Sequence, residues 1–120
     1  MSDDHDVKLM NDLVTFEHEG FPCAMSAHAV ASADSVASFG QVLRLWHPNE
    51  HVSTVDRYLR IALASGPVIL PCSRVRTGQS GTARRLSPLL SSVLKSCAVT
   101  AIAEIDGKSY WLVDLGASDG

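Results

Sequence analysis

The chain is poor in the residues that announce a specialised class. Aromatics make up 6% of its 120 residues and there are three cysteines, Cys23, Cys72 and Cys97. Their number is odd and no Cys-x-x-Cys pair occurs, so the sequence encodes neither a disulfide framework nor a thiolate zinc knuckle, and the three are expected to behave as small buried hydrophobes. No uncharged apolar run approaches the roughly 18 residues of a membrane-spanning helix. The opening Met1-Ser2-Asp3-Asp4-His5-Asp6 is acidic where a secretory leader requires a basic and then an apolar region, so a cytoplasmic location is expected. What is present, 46% apolar and 19% charged residues with a formal charge of −3, describes one soluble domain over residues 1–120. Such a chain buries roughly two-thirds of its unfolded surface without staples.

Charge is distributed unevenly. Residues 1–60 hold nine carboxylates against four Lys or Arg, whereas residues 61–120 hold four against six. Between Arg57 and Lys95 there are seven cationic groups and no Asp or Glu at all. The centre of that window, Ser73-Arg74-Val75-Arg76-Thr77-Gly78-Gln79-Ser80-Gly81-Thr82-Ala83-Arg84-Arg85, sets four guanidinium groups among hydroxyls, glycines and an amide. Planar forks grip anionic oxygens, hydroxyls donate, and glycines let backbone N–H groups approach, so this loop is a candidate contact for phosphates. The competing reading is a solvated loop whose arginines pair with the acidic N-terminal half.

Periodicity predicts an α+β chain with a mainly helical N-terminal half. Val7, Met10, Leu13 and Val14 share one helical face over 6–19, ended by Gly20 and Pro22. The small-residue segment 23–33 is compatible with a close-packed helix or a strand and is assigned as helix. A third helix is expected from Asp34 or Ser35 to Trp46, ending at His47-Pro48-Asn49, and a fourth from Ser53 or Thr54 to Gly66-Pro67, with Val55, Tyr58, Leu59, Ala62 and Leu63 inward. Val68-Ile69-Leu70-Pro71 is too short and too proline-flanked for a central strand. After the arginine loop a helix begins at Ser80 or Thr82, or at the cap-and-proline pair Ser87-Pro88, and runs to Lys95. Ala98–Ile105 and Ser109–Leu115 alternate around Asp106-Gly107, a strong hairpin signal. The tail 117–120 should fray.

The order helix, Gly-Pro turn, short apolar link, Thr-Gly turn, helix and hairpin resembles a winged helix-turn-helix domain over 53–116. Asp56–Pro67 resembles its first helix, Arg76-Thr77-Gly78-Gln79-Ser80 the turn before a recognition helix, and Ser80–Lys95 that helix, with the hairpin as wing. The resemblance implies a small DNA-binding regulator. Gln79, Ser80, Thr82, Arg84 and Arg85 would reach bases or phosphates of duplex DNA, Arg74 and Arg76 would hold phosphates, and Lys108 on the wing would touch the backbone or minor groove. Residues 1–52 would then be a helical extension supporting a homodimer. The alternative is a non-enzymatic adaptor that binds another protein through its acidic helical half.

Sharper chemistry is weakly represented. His47-Pro48-Asn49-Glu50-His51 fits the His-x-x-Glu-His zinc pattern, but Pro48-Asn49 breaks the helix that the two imidazoles need. His5, His18 and His28 are scattered. Gly78-Gln79-Ser80-Gly81 lacks the Gly-x-Ser-x-Gly spacing, no Walker loop occurs, and Glu17 and Glu19 do not pair on a helix. No catalytic residue, metal ligand or cofactor site is therefore assigned. Tyr110 and Trp111, adjacent on the hairpin, must face opposite sides.

Overall fold

The computed structural model describes residues 7–35, 41–42, 55–94 and 98–115. In chain order they form β1 (Val7–His18), β2 (Phe21–Ser26), a 3-10 turn (Ala27–Ala29), β3 (Val30–Asp34), β4 (Gln41–Val42), β5 (Arg57–Leu63), β6 (Gly66–Arg85), α1 (Pro88–Leu94), β7 (Val99–Ile105) and β8 (Lys108–Val113). The chain is thus mostly strand, and the expected α+β fold with a helical N-terminal half is overturned. Of the segment expected as a helix over 6–19, Val7–His18 is β1; segment 23–33 is most of β2, the 3-10 turn and most of β3; and of the helix expected over 53–66, Arg57–Leu63 is β5. The arginine loop and the start of the expected recognition helix at Ser80 are both part of β6, so the elements that carried the winged-helix resemblance are strands apart from α1 and the hairpin. Most of the helix expected over 34–46, the His47–His51 motif, Cys97 and the tail 117–120 lie outside the described residues. Among the described residues no helix is long and apolar enough to cross a membrane.

Backbone bulges explain why β1 reads as a helix. Asp12 has φ 54°, and the pairing of β1 with β6 slips between Met10 and Leu13. An extra residue shifts the two-residue alternation, so apolar positions before and after it fall at three- and four-residue intervals, the spacing of a helix face. In β5 the decisive positions are Leu59 and Ile61, both buried and two apart. Alternation, not the 55–58–59–62–63 spacing, describes what is inside.

The strand order β1-β2-β8-β7-β6-β5-β3, with β4 also on β6 and β1 also on β6, gives two pairing systems that share one strand. β1, β2, β8, β7 and β6 pair in a closed ring, a small barrel. The first part of β6 carries β5 antiparallel and β4 parallel, with β3 beyond β5. Pro71 falls in the gap between the β4 ladder, which ends at Ile69, and the β1 ladder, which begins at Ser73. There the proline does not sit inside a two-sided ladder. The Nδ1–H of buried His18 donates to the Pro71 carbonyl at 2.8 Å, tying β1 to the same point.

Two buried regions result. Val14, Phe16, Cys23, Met25 and Val113 from the ring pack with Leu59, Ile61, Leu70 and Cys72 from the second sheet, and Trp111 packs against them. By alternation Leu13, Ala24, Tyr110 and Leu112 turn the other way, into the ring, where Leu13, Ala24, Ala83 and Ala103 are buried. Three of those four buried residues are alanine, as the narrow interior of a five-stranded ring requires. The β7–β8 hairpin forms as expected, Asp106 and Gly107 adopting φ 51° and 77°, the left-handed pair of a two-residue turn. Trp111 faces the inter-sheet core and Tyr110 does not. The Ser87-Pro88 opening also holds: the Ser87 hydroxyl accepts from Leu90 N–H at 3.3 Å and its carbonyl from Ser91 N–H at 2.8 Å.

At Gly81, β6 runs close against β7. A Cβ there would collide with the Glu104 carbonyl oxygen and lie 2.7 Å from Ile105 Cγ1. Both are held in a ladder, so Gly81→Ala should cost about 1–3 kcal/mol by overpacking. Urea denaturation checks it: the midpoint should fall with an unchanged slope, and an unaltered midpoint would refute the tight approach.

Candidate functional site

One end of the ring opens as a cleft of about 580 Å³ built by β1, β2, β6 and β8. Its cations are Arg74, Arg76 and Lys108, its carboxylate is Glu17, and its hydroxyls are Thr15, Ser109 and Tyr110. Local backbone chemistry puts them there. The alternation that sends Val14 and Phe16 into the inter-sheet core turns Thr15 and Glu17 to the opposite face. Thr15 pairs with Arg76 and Glu17 with Ser73, so two steps on β1 match three on β6. The surplus residue is accommodated at Arg74, whose φ of 53° marks the bulge. Bulges re-aim side chains, and here Arg74 Nε comes to 3.4 Å from Glu17 Oε2. With exposures of 79% and 36% this pair contributes little to stability, about 0–1 kcal/mol. Lys108 and Ser109 arrive from the start of β8, immediately after the hairpin turn.

Arg84 and Arg85 belong to a different surface. They stand at the far end of β6, eight residues beyond Arg76 and thus up to roughly 26 Å away along an extended strand. A groove of about 790 Å³ there is lined by both arginines and by Val7, Leu86, Pro88, Leu90 and Ile102, with no carboxylate. Beside it, α1 buries none of its residues and presents Leu89 at 75%, Val93 at 64% and Leu90 at 37% exposure.

The remaining predicted contacts sit between the two surfaces. Gln79 turns back on its own strand, its Nε2 donating to the Thr77 carbonyl at 3.0 Å. Ser80 is exposed, and Thr82 is half-buried opposite Glu104 of β7. The structure therefore brings Arg74, Arg76 and Lys108 together, sets Arg84 and Arg85 apart, and leaves Gln79, Ser80 and Thr82 outside either cluster. Sequence reasoning missed Thr15, Glu17, Ser109 and Tyr110. For Thr15 and Glu17 the available signal was the Val14–Phe16 alternation, masked by the Asp12 bulge, and for Tyr110 it was the hairpin alternation that sets it opposite Trp111. It also missed the exposed apolar face of α1, which a chain order of Leu-Leu-x-x-Val reads equally well as core.

Nucleophilic or metal chemistry finds little to use. Among the described residues no three His, Cys, Asp or Glu side chains gather to hold a metal ion. Burial pushes the Cys23 and Cys72 thiols from the ordinary 9.0 up to about 12, which keeps them protonated at neutral pH. No protein-family model matches the chain, and neither the curated proteins nor the solved structures gave a match.

The thiols carry a pH signature. Between 9.0 and about 12 the unfolded chain has lost protons that the folded core still holds. The contribution of these two thiols to stability is therefore full below pH 9 and is lost as the pH rises through that interval. Comparing urea midpoints at pH 8 and 10.5 checks it. The loss should be smaller in C23A/C72A than in the natural chain, and an equal loss would show that these thiols titrate normally.

Proposed function

We propose that the chain is a non-enzymatic binding module that docks a partner polypeptide carrying alternating acidic and apolar side chains. The observation that carries the reading is α1: a helix of seven residues that exposes Leu89, Leu90 and Val93 and buries nothing. Helices this short are unstable in water by themselves, and an apolar patch displayed on one is the usual mark of an association surface. Charge selects the partner. Arg84 is exposed without an ion pair among the described residues, Arg85 stands next to it, and the groove they line contains no carboxylate. An acidic segment with apolar side chains satisfies both features, the apolar groups on α1 and the carboxylates on the arginine forks.

The competing reading is contact with duplex DNA through the dispersed cations. Its support is that Arg76, Arg84 and Lys108 make no ion pair among the described residues. Against it, Gln79, Ser80, Thr82, Arg84 and Arg85 lie on β6 while only Pro88–Leu94 of the expected recognition helix is helical among the described residues, and a net charge of −3 weakens attraction to DNA. A second copy of the chain on the α1 face is the homodimer reading.

Fluorescence anisotropy with a labelled Leu/Glu peptide, its Leu/Lys counterpart and a mixed-sequence duplex separates these. The Leu/Glu peptide should bind and the Leu/Lys peptide should not. L89S/V93S should weaken binding about tenfold or more while leaving stability within about 0.5 kcal/mol, since neither side chain is buried. R84Q should lower both affinity and its salt dependence. Tight duplex binding that is insensitive to L89S/V93S and lost on neutralising Arg84 and Arg85 would replace this reading with the nucleic-acid one. A dimer by light scattering that L89S/V93S dissolves would make the partner a second copy.

A further inference from the structure

We propose that the cleft at the end of the ring is a binding site for a phosphate monoester, separate from the α1 surface. Three observations converge on it. First, Arg74, Arg76 and Lys108 against Glu17 leave a formal balance of +2 in one concavity, the complement of a phosphate monoester, which carries about −1.5 to −2 at neutral pH. Second, Thr15 is only 4% exposed, lines the cleft, and its hydroxyl has no hydrogen-bond partner among the described residues. Buried hydroxyls are almost always bonded, so an oxyanion accepting from Thr15 satisfies a donor that the protein itself does not. Third, Arg74 reaches the cleft through a left-handed backbone conformation that a non-glycine residue adopts only at a cost. The conformation's effect is to bring that guanidinium over the cleft rather than along the strand.

The roles divide by chemistry. Arg76 and Lys108 have no ion pair among the described residues and supply the free positive charge. Thr15, and Ser109 at the rim, donate hydroxyl hydrogens. Glu17 holds Arg74 in place and competes with the ligand for it. The walls formed by Tyr110, Pro22 and Val75 accept an organic group attached to the phosphate. A cleft at the mouth of a barrel with an apolar wall and a few convergent polar groups has the size and composition of small-ligand sites. Binding requires no bond to be made or broken.

Titration of the intact chain with inorganic phosphate, phenyl phosphate and a phosphoserine tripeptide, followed by amide chemical shifts at constant ionic strength, tests the site. Shifts should concentrate at Thr15, Glu17, Arg76 and Ser109 and leave Arg84 and Leu89 unmoved. R76Q and K108Q should each weaken phenyl phosphate binding about tenfold. E17Q should tighten it severalfold, because it frees Arg74 and removes a like charge. R84Q should change nothing. All four side chains are exposed or half-buried, so each variant is expected to fold, with thermal midpoints as the check. Of phenyl phosphate and the tripeptide, the one that binds more tightly with this pattern identifies whether the phosphate comes from a small molecule or a modified side chain. Shifts spread equally over Arg84 and Arg85, equal losses from R76Q and R84Q, or weaker binding in E17Q would each overturn the proposal.

Discussion

Everything in this molecule depends on one strand serving two sheets. β6 runs for 20 residues, Gly66 to Arg85. Its first part supports β5 and β4, and its second part closes the ring between β1 and β7. The run from Val68 to Ser73 is buried without interruption because it lies where both systems meet. A strand covered on both faces reads as continuous apolar sequence, not as alternation. His18 reinforces the junction by bonding to Pro71, at the residue that has no N–H of its own to offer. Losing this segment would open both pairing systems at once, so the hydrophobic term and the backbone bonding fail together.

The same strand also distributes the charge. In the sequence, Arg74, Arg76, Arg84 and Arg85 form one basic window without a carboxylate. An extended strand separates its ends by more than 3 Å per residue, whereas a helix would have kept them about half as far apart. The window is thereby divided into a cleft at one end of the ring, where three cations face Glu17, and an apolar groove at the other, where two arginines flank α1. The four arginines thus do not share one surface. In the two proposed readings charge selects the ligand or partner at each surface, and shape or apolar contact holds it.

Some of this was legible in the residues. Asp106-Gly107 has a single easy solution, because few residue pairs enter the left-handed region twice in succession, and alternation on both sides states the partner. Ser87-Pro88 is equally local, a hydroxyl positioned for an orphan N–H and a ring already at helical φ. The buried fate of Cys23 and Cys72 followed from the absence of any partner thiol in sequence. By contrast β1 hid its alternation behind Asp12, and β5 offered two spacings of apolar residues, one for each kind of element. Segment 68–71 was set aside as a central strand for its shortness and its prolines, although all four residues are buried.

The sequence by itself determined the features whose physics closes within a few neighbouring residues: turn, cap, composition of the core and the sign of each charged stretch. The tertiary structure alone decided which spacing in β1 and β5 became the buried one, that a proline-flanked run would be central, and which arginines would share a surface. Those outcomes rest on backbone pairing between strands dozens of residues apart. The energy of a ladder, and the register slips that its bulges absorb, exist only once both strands are in place.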